Sequence, residues 1–156
     1  MRYADHAGTY NFEYKKASVK VRMVPAGDEK TYWMEGLSPD FKLTFAYDKK
    51  TGTLTWSPEK IYTDPNKHEY WMCSWDARDT GQIFRYAFLG FVVNKDFNKP
   101  GVFLTSTSPL AGYINLDSMI ILEYNGTKRV GVSTTLLANG SAKIESIKGM
   151  TKINND

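Results

Sequence analysis

The chain has 156 residues, 42% of them hydrophobic and 14% aromatic, which is enough apolar material for a folded core and excludes a disordered chain. Its 20 Lys and Arg residues exceed its 17 Asp and Glu residues by only three, far below the dense basic surface that a phosphate backbone requires, so nucleic acid is not an expected partner. No apolar run is long enough for a membrane helix, and the opening residues lack the basic start and apolar middle of a signal peptide. We therefore expect no membrane insertion by this chain.

Apolar residues recur at every second position in the first part of the chain, which is typical of half-buried β-strands. Strands are predicted at residues 9–14 and 17–23, which form a first hairpin. Two more are predicted at residues 41–47 and 53–57, where the turn-forming residues Asp48–Gly52 join the clearest hairpin in the chain.

The second part of the chain predicts five more strands, and Gly90 lies where the alternation slips and a bulge is expected. Asn125-Gly126 and Asn139-Gly140 are suited to tight hairpin turns, so the last three strands are predicted to form a meander. These five strands span residues 69–76, 82–93, 119–124, 128–137 and 141–147.

The fold class is predicted to be all-β, because apolar residues nowhere keep the three-and-four spacing of a long amphipathic helix. Roughly ten strands joined by short loops are typical of an antiparallel barrel or sandwich. We predict a single antiparallel meander β-barrel of about 8–10 strands, since such aromatic strands would leave adhesive edges in an open sheet, with a β-sandwich as second choice. One domain is predicted over residues 1–156, with an ordered core at about 7–153.

One short string matches a catalytic signature, the Asp-Thr-Gly triplet of aspartic proteases at Asp79–Gly81. Those enzymes need apolar strand residues before the triplet, whereas Arg78 precedes it here, so a turn with a solvated carboxylate is the preferred interpretation. Cys73 lies in an apolar setting and is predicted to be buried and inert. Because only His6 and His68 accompany it, no zinc-type spacing occurs, and we predict neither a cofactor nor a metal site.

A calcium site is the weaker alternative to that prediction. Asp76 and Asp79 could offer carboxylate oxygens, together with Asp64 and Glu69 if the fold brings these near. The dense alternation of ligands in an EF-hand loop is missing, so solvated loop carboxylates are preferred.

Aromatic residues in the strand predicted at residues 69–76 are the most informative feature of the composition. Trp71 and Trp75 point to one side of a strand and Tyr70 to the other, so both faces of that strand are apolar or amphipathic and both need a cover. Flat indole and phenol rings stack on sugars and also line pockets for apolar ligands. We predict that Trp71, Trp75 and Tyr70 stack on a ligand, which is a glycan or a small apolar molecule, and that Asp76 and Arg85 orient it.

Two other functions stay open. In a structural or protein-interaction domain of a cell-surface assembly, all four Trp residues would be buried in the core. A carboxylate-dependent hydrolase would need two acids facing each other in a cleft, and the sequence assigns no such pair. The preferred prediction is non-catalytic binding, and the oligomeric state is open.

The segments at Ala7–Tyr10, Val19–Val24, Lys30–Leu37, Asp48–Thr55 and Ser57–Ile61 resemble the calycin-like, lipocalin-like barrel domains of secreted lipoproteins in Bacteroides and its relatives. This resemblance implies an exported protein that is extracellular, on the cell surface or periplasmic. It also implies a lipid anchor outside the present chain and explains the missing signal peptide. The resemblance brings no catalytic residue with it.

Overall fold

A computed structural model describes residues 2–15, 17–74, 91–93, 104–106, 119–133, 137–138, 140–145 and 147–155. The described residues form a short 3-10 turn and thirteen β-strands. Within this part of the chain, no helix is both long enough and apolar enough to cross a bilayer. The turn is η1 (Tyr3–His6), and the strands are β1 (Gly8–Tyr14), β2 (Ala17–Pro25), β3 (Thr31–Glu35), β4 (Leu43–Asp48), β5 (Thr53–Trp56), β6 (Glu59–Thr63), β7 (Glu69–Ser74), β8 (Phe91–Val93), β9 (Leu104–Ser106), β10 (Met119–Asn125), β11 (Lys128–Val132), β12 (Lys143–Ile144) and β13 (Ile147–Asn154).

The first sheet is antiparallel and has eight strands in the order β13-β1-β2-β3-β4-β5-β8-β9. It curls into a half-barrel, and its end strands β9 and β13 approach each other. The all-β prediction is confirmed. The architecture is a curled sheet with a second sheet packed against it. It combines the curvature of the predicted barrel with the two packed sheets of the predicted sandwich.

The alternation in the first two strands is encoded locally, as the sequence predicts. Tyr10 lies opposite Val21 and Phe12 opposite Val19 in the β1–β2 register. Tyr10 and Phe12 are buried on the concave side of the half-barrel. Gly36 lets the chain after β3 pass close to β2, because a Cβ atom there would lie 2.6 Å from the carbonyl oxygen of Lys20.

The second sheet has the strand order β11-β10-β7-β6, and β12 pairs with the start of β10. One face packs Met72 and Ile121 into the core that lines the half-barrel. The other face carries Cys73 and Leu122 in a second buried cluster. The predictions that β7 is apolar on both faces and that Cys73 is buried are therefore confirmed.

Three details differ from the sequence prediction, and two further predictions are not tested. Residues 59–63 form a strand that was not expected. The last three predicted strands do not form a meander, because β12 pairs with β10 while β13 joins the other sheet beside β1. In the β10–β11 hairpin Asn125 pairs with Lys128, so the turn is centred on Gly126 and Thr127 and not on the Asn-Gly pair. The bulge expected at Gly90 lies outside the described residues, and the single-domain assignment stays a prediction.

Candidate functional site

A register shift in the β6–β7 hairpin brings two tyrosines together. Lys60 lies opposite Trp71, but Tyr62 lies opposite Tyr70, so Ile61 is the extra residue on β6. Such a bulge places an extra residue on one strand and re-aims the side chains that follow it. The rings of Tyr62 and Tyr70 stack with their centroids 5.4 Å apart and an interplanar angle of 14°. Tyr62 is 41% exposed, so this ring pair forms an accessible aromatic platform.

The neighbouring strand on the other side of β7 contributes an acid. Glu123 lies directly opposite Tyr70 in the β7–β10 register. It follows Met119 and Ile121 on the face of β10 that packs into the main core, and both of these residues are buried. Glu123 itself is half-buried, so this row changes from apolar to charged at the rim of the core.

The loop between β6 and β7 holds two further polar groups. Asp64 accepts a hydrogen bond from the backbone N–H of His68 at 2.9 Å, and its own backbone N–H donates to the carbonyl oxygen of His68 at 3.0 Å. Asp, Pro and Asn are ordinary turn formers, and an Asp side chain that accepts from a nearby backbone N–H stabilises such a turn. The sequence from Asp64 to His68 thus forms a tight loop that turns both side chains to one place.

We call Asp64, His68, Tyr70 and Glu123 the rim cluster. The Nδ1 atom of His68 lies 2.7 Å from Oε2 of Glu123, and the Tyr70 hydroxyl donates to Oδ2 of Asp64 at 3.1 Å. One potential ligand atom from each of Asp64, His68 and Glu123 lies within 4.8 Å of the others. All four side chains are half-buried and joined by side-chain contacts.

Burial is the main cause that raises the pKa of Tyr70 to about 12, and its hydrogen bonds and proximity to Asp64 and Glu123 add to it. Desolvation opposes ionisation of Asp64, but hydrogen bonds from the His68 backbone and the Tyr70 hydroxyl outweigh it and hold the pKa of Asp64 below its ordinary value. Tyr70 is therefore a neutral donor at pH 7 and Asp64 an acceptor. The rim cluster can accept hydrogen bonds from hydroxyl groups or bind a cation.

The structure separates the residues that the sequence grouped as a ligand site. Tyr70 belongs to the rim cluster, but Trp71 lies on the opposite face of β7, where it packs against the second buried cluster. Tyr70 and Trp71 thus form no common surface. Trp75, Asp76 and Arg85 lie outside the described residues.

Of the four carboxylates considered for calcium, the structure describes Asp64 and Glu69. Glu69 receives a hydrogen bond from the Trp71 indole at 3.1 Å and pairs with Lys60 at 3.7 Å, away from the rim cluster. Glu69 thus points to the face of β7 opposite to Tyr70 of the rim cluster, because neighbouring strand residues alternate between faces. Asp76 and Asp79 lie outside the described residues.

Sequence reasoning missed Tyr62, His68 and Glu123. One signal was available for Glu123, which is the charged residue in a strand that is otherwise apolar on both faces. No local signal joins His68 to Glu123, since they are 55 residues apart in the chain.

A second surface lies on the convex side of the half-barrel. Trp33 is 38% exposed there, with the ammonium group of Lys42 5.1 Å from its ring centroid. An open groove of about 720 Å³ lies nearby, and Arg22, Glu35 and Ser38 are among its lining residues. The exposed Trp33 shows that the all-buried Trp set expected of an interaction domain is wrong.

Comparison with known proteins gives one match. A family model described as a domain of unknown function matches residues 1–122 of the chain, which include the whole β6–β7 hairpin. No curated protein and no solved structure matches the chain.

Proposed function

The chain belongs to the DUF4987 family, a domain of unknown function, and we propose that it is a non-catalytic extracellular module that binds a glycan at the Tyr62–Tyr70 platform. The observation that carries this proposal is the exposed ring of Tyr62, stacked on Tyr70 beside the acceptors of the rim cluster. A sugar ring needs a flat apolar face to stack on and nearby groups that accept bonds from its hydroxyls. This part of the rim offers both.

The filled interior favours a surface glycan over an apolar guest. In a barrel that holds a small apolar molecule, the space inside is lined by side chains but not filled by them. Here Tyr10, Tyr32 and Trp56 are at most 2% exposed and pack in one cluster with the core-facing residues of both sheets. The described interior is thus occupied by the protein's own aromatic rings.

The extracellular and calycin-like parts of the proposal have their own support. The segments that resemble calycin-like domains lie between Ala7 and Ile61, from β1 to β6, and β1 to β5 form the antiparallel run of the curled sheet. An extracellular location follows from that resemblance alone, and a glycan is a ligand consistent with it.

The decisive experiment is a titration of the protein with a panel of oligosaccharides, followed by NMR chemical-shift changes or calorimetry. We expect at least one oligosaccharide to bind, and we expect Tyr62→Ala to weaken that binding by roughly two- to tenfold, because losing one aromatic stacking contact costs roughly 0.5–1.5 kcal/mol.

Trp33→Ala is the matched control, since it removes an aromatic ring of similar exposure on the convex surface. Its binding should equal that of the wild-type chain. Binding that depends on Trp33 and not on Tyr62 would move the site to the convex face, and no binding by any oligosaccharide would refute the proposal.

A hydrolase is the second candidate, because Asp64 and Glu123 supply the pair of neighbouring acids that such an enzyme needs. Retaining glycosidases hold their two carboxyl groups roughly 5–5.5 Å apart, across the bond that is cleaved. In the rim cluster the Tyr70 hydroxyl and the His68 ring occupy hydrogen-bonding positions on these acids. Incubating the bound oligosaccharide with wild-type protein and with Glu123→Gln separates the two functions: product that forms only with the wild-type chain would favour the hydrolase.

A further inference from the structure

We propose that Asp64, His68 and Glu123 bind a divalent transition-metal ion, with zinc as the best fit. The proposal is independent of glycan binding, since it concerns the metal alone. Its starting point is that the fold brings one imidazole nitrogen and two carboxylate oxygens within 4.8 Å of one another, although Glu123 is 55 residues from His68 in the chain.

The distances suit a metal centre after a small adjustment. Zinc binds His nitrogen and carboxylate oxygen at about 2.0–2.2 Å, so two ligand atoms of a tetrahedral site lie roughly 3.3 Å apart. The 2.7 Å contact between His68 Nδ1 and Glu123 Oε2 is shorter than that separation, and the longest separation in the set is at most 4.8 Å. Side-chain rotations that move each ligand atom by about an ångström or less would place all three atoms around one ion.

The donor set selects the type of metal. Calcium and magnesium prefer shells of oxygen ligands, whereas an imidazole with carboxylates suits zinc and its neighbours in the first transition row. Three protein ligands leave a fourth position of a tetrahedral ion for water or another small ligand. The expected order of affinity is therefore zinc well above calcium.

In the part of the chain that the structure describes, no Lys or Arg side chain balances the two carboxylates of the rim cluster. Within the described ranges, neither Asp64 nor Glu123 forms an ion pair with a Lys or Arg side chain, and Glu123 contacts the ring of His68. On β6, Lys60 pairs with Glu69 on the other face of the sheet. Two neighbouring carboxylates repel each other, and a divalent ion between them would remove that cost.

The groups around the ligands are already arranged to hold them. The Tyr70 hydroxyl donates to one oxygen of Asp64, and the His68 backbone N–H donates to the other. Hydrogen bonds of this kind orient metal-binding carboxylates and reduce the ordering cost of binding. A bound ion would tie the β6–β7 loop to β10, in addition to the hydrogen bonds between the strands.

The test is a calorimetric titration of untagged, metal-free protein with zinc chloride, manganese chloride and calcium chloride in separate experiments. We expect one equivalent of zinc to bind and calcium to bind at least tenfold more weakly. Cobalt chloride gives a second readout, because a tetrahedral site with nitrogen and oxygen ligands produces strong visible absorption bands that an octahedral aqueous ion lacks.

Glu123→Gln and His68→Gln each remove one ligand and should each weaken zinc binding at least tenfold. Glu69→Gln is the matched control: it neutralises the acid that follows His68 at the start of β7, whose side chain contacts Lys60 and Trp71 on the opposite face, and its zinc affinity should equal that of the wild-type chain. Far-UV circular dichroism shows that the variants are folded.

Three results would overturn the proposal. They are the absence of zinc binding by the folded wild-type protein, zinc affinity that is unchanged in both Glu123→Gln and His68→Gln, and calcium affinity equal to that of zinc. Because no sugar is present, a glycan-binding result of either sign leaves this test unaffected.

Discussion

The two histidines of the chain lie in opposite kinds of surroundings. His6 is fully buried beneath the end of the half-barrel, where its Nε2 atom donates to the carbonyl oxygen of Gly52 at 2.8 Å. Its own carbonyl oxygen accepts from the Tyr10 hydroxyl at 2.8 Å, and the Tyr32 hydroxyl donates to the carbonyl oxygen of Tyr3. His68 is half-exposed at the rim, and its ring contacts the side chain of Glu123.

The two regions differ in the group that contacts the histidine ring, which is a backbone carbonyl for His6 and a carboxylate for His68. A backbone carbonyl is fixed by the strand or turn that contains it, so the bonds around His6 hold η1 against the sheet and cannot be exchanged for a ligand. A carboxylate can rotate and accept another donor or a cation. The region around His6 is therefore structural, and the rim cluster around His68 is the place where binding costs the fold little.

The largest expected effect comes from removing the buried ring. His6→Ala deletes a buried hydrogen bond and the packing of the ring against Tyr32 and Tyr47, so the free energy of unfolding should fall by about 3 kcal/mol. His68→Ala breaks a half-exposed pair and should cost less than about 1 kcal/mol without metal. Urea unfolding of both variants measures the difference, and equal losses would contradict the comparison.

The pH dependence of stability sharpens the same contrast. Burial lowers the pKa of His6, so below the ordinary value of 6.5 the unfolded chain binds a proton before the folded chain does. His6 therefore lowers stability progressively as the pH falls below about 6.5. His6→Gln has no titrating ring, so the stability of the wild-type chain relative to this variant should fall as the pH is lowered from 7 to 5.

Glu59 changes the pH dependence of stability in the opposite direction to His6, so the two contributions must be measured separately. It lies opposite Met72 on the core-facing side of β6 and accepts from the backbone N–H of Thr44 at 2.9 Å. Burial raises its pKa to about 7, so the folded chain keeps a proton that the unfolded chain releases from about pH 4.5 upward. Glu59 thus lowers stability as the pH rises from about 4.5 to 7.

The variant Glu59→Gln keeps the acceptor for Thr44 and removes the titration. We expect it to be about 1 kcal/mol more stable than the wild-type chain at pH 8, a figure reduced for partial solvent screening, and nearly equal to it at pH 4.5. Thermal unfolding at the two pH values checks this. A stability difference that does not change with pH would contradict the assigned cause.

The smallest effect is expected on the opposite face of the second sheet. Glu69→Gln weakens an exposed contact with Lys60 and keeps an acceptor for the Trp71 indole, so stability should change by less than about 0.5 kcal/mol. Chemical unfolding of Glu69→Gln, run in parallel with His68→Ala, tests this. A loss of unfolding free energy greater than about 1 kcal/mol in Glu69→Gln would disqualify it as the control for metal binding.

Much of the first sheet was predictable from local pattern. The strand bounds predicted for the two hairpins at residues 9–23 and 41–57 agree with β1, β2, β4 and β5 to within about two residues, because burial alternates with a period of two along each strand. Strand β6 was missed because Pro58 and the charged Glu59 and Lys60 hide the alternation at its start. The pairing of β13 with β1 could not be predicted either, since β1 lies at the other end of the chain.

The sequence pointed to two residues of the candidate site, Tyr70 as a stacking ring and Asp64 as a possible cation ligand. The aromatic ring of Tyr70 drew attention to β7, but the stacking partner Tyr62 depends on a bulge that no local pattern marks. The acids proposed from spacing did not include Glu123, because its role depends on which strand pairs with β7.

The amino-acid sequence alone determined that this protein is built from antiparallel strands, that one side of each early strand is buried, and that β7 is apolar on both faces. Hydrophobic periodicity acts between neighbours in the chain, so these features are local. Only the tertiary structure decided that the sheet curls against a second sheet and that Asp64, His68, Tyr70 and Glu123 meet at one rim. Strand pairing over long separations depends on the energy of the whole core, which no short segment contains.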